Sequence, residues 1–66
     1  MLNGKKLKEL RESQNMTAQT LALELGVDRS FVANLEREFK KPSLELTIRI
    51  AEFFGVTVDE LIKKNS

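Results

Sequence analysis

Sixty-six residues, with 11 Lys+Arg against 10 Asp+Glu, 41% hydrophobic side chains, three Gly, one Pro and no Cys, His or Trp, describe one small domain of near-neutral charge. That inventory excludes disulfide and zinc staples, a histidine proton shuttle, a thiol nucleophile and a Gly-rich phosphate loop, and the carboxylate pairs Glu36/Glu38 and Asp59/Glu60 lack the walls of a substrate cleft in so short a chain. No apolar run reaches the roughly 18 to 20 residues of a membrane span or forms the core of a signal peptide, so the expectation is a cytoplasmic, non-enzymatic protein with no metal, no cofactor, no small-molecule ligand and no membrane partner.

Apolar residues recur at helical spacing in five segments, and none alternates as a strand would, which predicts an all-α fold: a compact five-helix bundle within a single domain over 1–66. Helix 1 is expected over 4–14 behind Asn3 as cap, with Leu7 and Leu10 inward and Lys5, Lys6, Lys8 and Arg11 on the other face. Helix 2 is expected over 18–25, capped by Thr17, stapled by Met16 against Leu21, buried through Leu21, Ala22 and Leu25, and stopped by Gly26. Helix 3 follows over 29–37, with Asp28 as cap, Val27 stapled to Val32, and Val32 and Leu35 as the inner stripe. Residues 38–42, Glu-Phe-Lys-Lys-Pro, form a basic loop.

Ser43 caps helix 4 over 44–54, with Glu45 near its positive end and Gly55 closing it. Leu44, Ile48, Ala51 and Phe54, with Thr47 among them, form a stripe wide enough to close the core. Leu46, Ile50 and Phe53 then fall on a separate apolar face that Val58 and Ile62 extend, a patch of a size seldom left bare on a monomer, and a two-fold homodimer interface is expected there. Helix 5 is expected over 58–64 behind a Thr57–Glu60 capping box, with Val56 stapled to Leu61 and Lys63 and Lys64 at its end.

Function is written on helices 2 and 3, joined by a short turn with Gly26 in the layout of a helix-turn-helix. At 100° per residue Phe31, Val32 and Leu35 share one side of helix 3, and Arg29, Ser30, Ala33, Asn34 and Arg37 share the other. Amphipathicity alone fits both a solvated face and a groove reader. The chemistry adds to it: Arg can grip guanine in a bidentate pair, Asn can do the same with adenine, and an Ala methyl fits against a thymine methyl. Charge is also uneven, since residues 1–15 and 29–41 each carry a net +2, whereas 16–28 carry −2 and 42–66 carry −1. With so little net charge, affinity for phosphate has to come from local patches and from doubling the domain.

These residues resemble the helix-turn-helix domain of the Cro and CI phage repressors, the XRE family, over about 4–62. The likeness is carried by Leu10-Arg11-Glu12, Leu21-Ala22, Leu25-Gly26-Val27, Leu35-Glu36-Arg37, Pro42-Ser43-Leu44-Glu45, Ile50-Ala51, Phe54-Gly55-Val56 and 57–61, in that order and spacing. The resemblance implies a sequence-specific transcriptional regulator, with helix 3 in the major groove of double-stranded DNA. It further implies a repressor bound as a homodimer to an inverted-repeat operator at the bacterial nucleoid. Carried over by position, Arg29, Ser30, Ala33 and Asn34 are implied base readers; Thr17, Ala18, Gln19, Arg37, Lys40 and Lys41 fall at phosphate positions; and Arg11 with Glu36 forms a structural ion pair. An antitoxin or a restriction-modification controller belongs to the same class. A different reading keeps the fold but binds a protein partner through exposed Leu23, Leu46 and Phe53.

Three positions depart from the family pattern. Ala18, with Gln19 beside it, stands where Gln usually opens helix 2, so the expectation is that a usual phosphate contact, with its support of the first recognition residue, is either missing or shifted. Glu38 stands where Gly usually ends helix 3; a left-handed non-glycine residue costs on the order of 1 kcal/mol, so a different loop path and phosphate repulsion are expected. Thr47 replaces an apolar residue, so a rearranged local core filled by Ile48 is expected.

Overall fold

Four short polar side chains close the helix starts. In the computed structural model, which describes residues 1–63, Asn3 Oδ1 accepts from Lys6 N at 3.1 Å, Thr17 Oγ1 from Thr20 N at 3.1 Å, Ser43 Oγ from Leu46 N at 3.1 Å and Thr57 Oγ1 from Glu60 N at 3.2 Å. Each bond satisfies an N–H that a helix start leaves without an intrahelical partner. Behind these caps run α1 (Gly4–Ser13), α2 (Ala18–Leu25), α4 (Leu44–Phe54) and α5 (Val58–Leu61); α3 (Arg29–Glu36) differs. Asp28 has the extended backbone of a cap, but its side chain makes no capping bond, and its contribution reduces to a negative charge near the α3 N-terminus. The Thr57 box is likewise half made: among the described residues the Glu60 carboxylate makes no return bond to Thr57 N.

The core takes a fully buried side chain from every helix: Leu7, Leu21, Val32, Leu35, Ile50 and Leu61. Its inner face on α4 differs from the expected stripe. Leu46, Thr47, Ile50 and Ala51 point inward, whereas Leu44 is 72% and Ile48 40% exposed. Thr47 is buried with its polar group satisfied, because its hydroxyl donates to the Ser43 carbonyl at 2.9 Å. Ile48 is therefore not its filler.

The end of the chain also departs from expectation. Continuing α5 through Lys63 would give a short helix a few more internal bonds; instead Ile62 is extended and pairs with Leu2 in a single antiparallel bridge. Asn3 N donates to Leu61 O and Lys63 N to Met1 O, both at 2.6 Å, and Leu2 is buried against the core by this pairing. Lys64, the expected last residue of helix 5, lies outside the described residues.

One glycine is set by packing. A Cβ on Gly4 would lie 2.2 Å from the Glu36 carbonyl oxygen and 2.8 Å from that of Leu35, so only glycine lets the start of α1 rest against the end of α3.

Candidate nucleic-acid interface

The platform is α2 and α3 with the loop that follows them. Gly26, at φ 72°, ends α2 in the left-handed region, and the Val27 N–H reaches back to Ala22 O at 3.0 Å, which turns the chain sharply into α3. Val32 and Leu35 are buried below α3, so the strip above them is presented outward: Arg29, Ser30 and Arg37 are exposed, and Ala33 and Asn34 are half-buried at its edge. Thr17 and Gln19 are exposed at the start of α2, with Thr17 occupied as the cap and its hydroxyl 3.0 Å from that of Thr20. Ala18 is half-buried against the core.

The far end of α3 is held by an ion pair. Arg11 Nε donates to Glu36 Oε2 at 2.6 Å and Nη2 to Oε1 at 3.0 Å, while Nη1 donates to Met16 O at 2.8 Å. One guanidinium thus joins α1, the α1–α2 turn and the last residue of α3. The two side chains are only 12% and 8% exposed. The Glu36 bonds hold the guanidinium above its already high ordinary value, against the opposing effect of burial. The expected scaffold pair is present.

Glu38 is the residue whose role sequence reasoning missed. Its φ of 63° puts Glu38 itself in the left-handed conformation that glycine takes without steric cost. Its carboxylate turns away from the outward strip: Oε2 accepts from Gly4 N at 3.1 Å, and Oε1 lies 2.7 Å from Lys63 Nζ. Lys63, and after it the Gly4 N–H, hold this carboxyl below the usual carboxylate range. No local signal marks such a clamp, since its partners lie 34 residues before it and 25 after it. Lys40 and Lys41 are exposed beyond it, and Lys40 N and Phe39 N both point at Asn34 O.

The proposed pairing face fares differently. Leu46 and Ile50 are core residues, at 9% and 0% exposure, because the inward side of α4 runs through them; they are not available to a partner. Phe53 is exposed but sits beside Glu24, Leu25, Arg49 and Glu52, with its ring edge-on to Phe54 at 5.0 Å. Val58 and Ile62 line a separate groove with Met1, Leu2, Pro42 and Leu44. Among the described residues no helix is long and apolar enough to cross a membrane.

Comparison with known proteins agrees with this geometry. A family model described as helix-turn-helix matches residues 7–61. An HTH-type transcriptional regulator of Methanocaldococcus jannaschii is 41% identical over 56 residues, 85% of each chain. The Bacillus subtilis HTH-type transcriptional regulator AnsR is 38% identical over 92% of this chain, which spans 53% of that protein's length. Among solved structures, the restriction-modification controller protein C.AhdI of Aeromonas hydrophila superposes with a TM-score of 0.79 at 34% identity, over 89% of both chains.

Proposed function

The chain belongs to the XRE-type helix-turn-helix family of DNA-binding transcription regulators, which is not an enzyme class, and from that premise we propose that it is a repressor that binds an inverted-repeat operator as a homodimer. The observation that carries the reading is the outward strip of α3, small, polar and cationic, on a helix whose back is buried and whose end is fixed by Arg11 and Glu36. In this reading α3 enters the major groove, Arg29, Ser30, Ala33 and Asn34 read base edges, and Thr17, Gln19, Arg37, Lys40 and Lys41 meet phosphates, Ala18 contributing only through its backbone. Occupying an operator is enough to block transcription in the cytoplasm, at the nucleoid.

Because Leu46 and Ile50 are buried, the pairing surface moves to the exposed apolar residues Met1, Leu44 and Ile48, continued by Val58 and Ile62. A two-fold contact there brings two α3 helices to one DNA face, and half-sites about 34 Å apart make the operator an inverted repeat. The likeness to C.AhdI favours one second reading, a restriction-modification controller that uses the same DNA face.

The test is to capture and sequence genomic fragments with the purified protein, then to measure band shifts and sedimentation on the recovered operator. Arg29→Ala should cost about 1 to 3 kcal/mol on the operator and relax one base pair, and Lys40→Ala should weaken all sequences alike and flatten the salt slope by about one unit. Leu44→Glu should give a folded monomer with much weaker operator binding. Equal loss on specific and random DNA for Arg29→Ala would refute the base-reading role, and a dimeric Leu44→Glu protein would refute the pairing face.

A further inference from the structure

Residues 36–41 read Glu-Arg-Glu-Phe-Lys-Lys, and the fold sorts them by charge. Glu36 is taken by Arg11, and Glu38 by Gly4 N and Lys63, so both carboxylates that flank Arg37 are engaged elsewhere. Among the described residues the Arg37 guanidinium makes no ion pair and no hydrogen bond. What it does meet is the Phe39 ring, with Cζ 4.5 Å from the ring centroid. Phe39 is 69% exposed, between Arg37 and the lysine pair Lys40 and Lys41. A ring left this open adds little to the core, yet it lies against the guanidinium, whose N–H donors take no protein partner among the described residues. Backbone geometry holds the stack in place. Left-handed Glu38 turns the chain back on itself, and Phe39 N and Lys40 N donate to Asn34 O at 2.8 and 3.3 Å.

We propose that Phe39 is a positioning residue that holds Arg37, through this stack, in the orientation that grips a DNA phosphate. A guanidinium fork matches phosphate oxygens only when its plane is correctly aimed, and a free Arg side chain must be ordered at the moment of binding. The ring orders it beforehand. The inference rests on the DNA-binding reading above, and it assigns a task to an exposed aromatic that reads no base.

Phosphate contacts are independent of sequence, so a mixed-sequence duplex at low salt is a sufficient probe. The parent, Phe39→Ala, Arg37→Ala and the double variant are compared by titration across salt concentrations, with thermal melts on the same samples. Phe39→Ala should melt like the parent and bind about 3- to 10-fold more weakly, the range expected for losing the prior ordering of one long side chain. In the Arg37→Ala background the same change should have almost no effect, and Phe39→Tyr should restore binding. Arg37→Ala alone should lower the salt slope by about 0.9. In the free protein, ring-current shifts on the Arg37 side-chain protons should vanish in Phe39→Ala. A parent that binds no duplex at any salt sinks the DNA-binding reading and this inference with it. A parent that binds, with Phe39→Ala either neutral or equally harmful without Arg37, overturns the positioning role alone.

Discussion

Helices α3 and α4 are both amphipathic, yet only one of them announces which side faces in. On α3 the apolar residues are just sufficient to cover the core, and Arg29, Ser30 and Asn34 leave one orientation open. On α4 Leu44, Leu46, Ile48, Ile50, Ala51, Phe53 and Phe54 point around most of the circumference, so several rotations bury a comparable apolar area. The polar residues are what orient a helix. Where they are scarce the choice passes to tertiary packing, and the surplus apolar side chains remain on the surface as material for contacts with other molecules.

The sharpest way to break this comparison is to truncate one side chain on each side of α4. Ile50→Ala should destabilise the fold by about 2 to 5 kcal/mol, because it opens a cavity in a fully buried site. Ile48→Ala should stay within about 1 kcal/mol of the parent under conditions where the protein is monomeric. Denaturant titrations of the two variants give both numbers, and similar losses would mean that α4 is rotated from the orientation described.

A smaller loss is expected at the end of α3. Glu36→Ala strands the Arg11 guanidinium in a site that is mostly buried, at a cost of about 2 to 3 kcal/mol in a thermal or denaturant melt. If the variant melts like the parent while DNA binding collapses, Glu36 belongs to the interface and α3 owes its position to packing alone.

The smallest effect concerns Glu38 and depends on pH. A carboxyl held below its ordinary value stabilises the fold above that value, and the contribution is lost as pH falls through the depressed one. Glu38→Gly removes the clamp but relieves the left-handed backbone. The parent should therefore gain on the glycine variant as pH rises from the acid range, and the glycine variant should melt higher once the carboxyl is protonated. A pH-independent difference between the two melting temperatures would show that the clamp contributes nothing.

Much of the molecule was legible because its signals are short-ranged. A cap acts within three residues and a stop within one, so Asn3, Thr17, Ser43, Thr57, Gly26 and Gly55 could be placed from local sequence. Helices α1 and α3 end one residue earlier than expected, within the fraying of any helix end. The misreadings have one physical cause. Asp28 has the right chemistry for a cap but no bond, Ile62 leaves its helix for Leu2, and Glu38 faces Gly4 and Lys63; each outcome depends on a partner or a geometry that local sequence does not hold. At the site, the polarity of α3 revealed its outward strip, whereas the stack of Phe39 on Arg37 required the left-handed turn between them.

The bridge between Leu2 and Ile62 has a kinetic meaning as well. It joins positions 60 apart, nearly the whole described chain, and the entropy of closing so long a loop is recovered only after the helices between have packed. On these grounds the latch should form late in folding and open before the core does. Its amides, Asn3 and Lys63, should exchange their hydrogens with solvent through local opening, faster than those of the fully buried Leu35 and Ile50. The same Lys63 pairs with Glu38, whose other oxygen accepts from Gly4 N, so the bridge, the carboxylate clamp and the seam between α1 and α3 form one connected set of contacts, and their amides should open together.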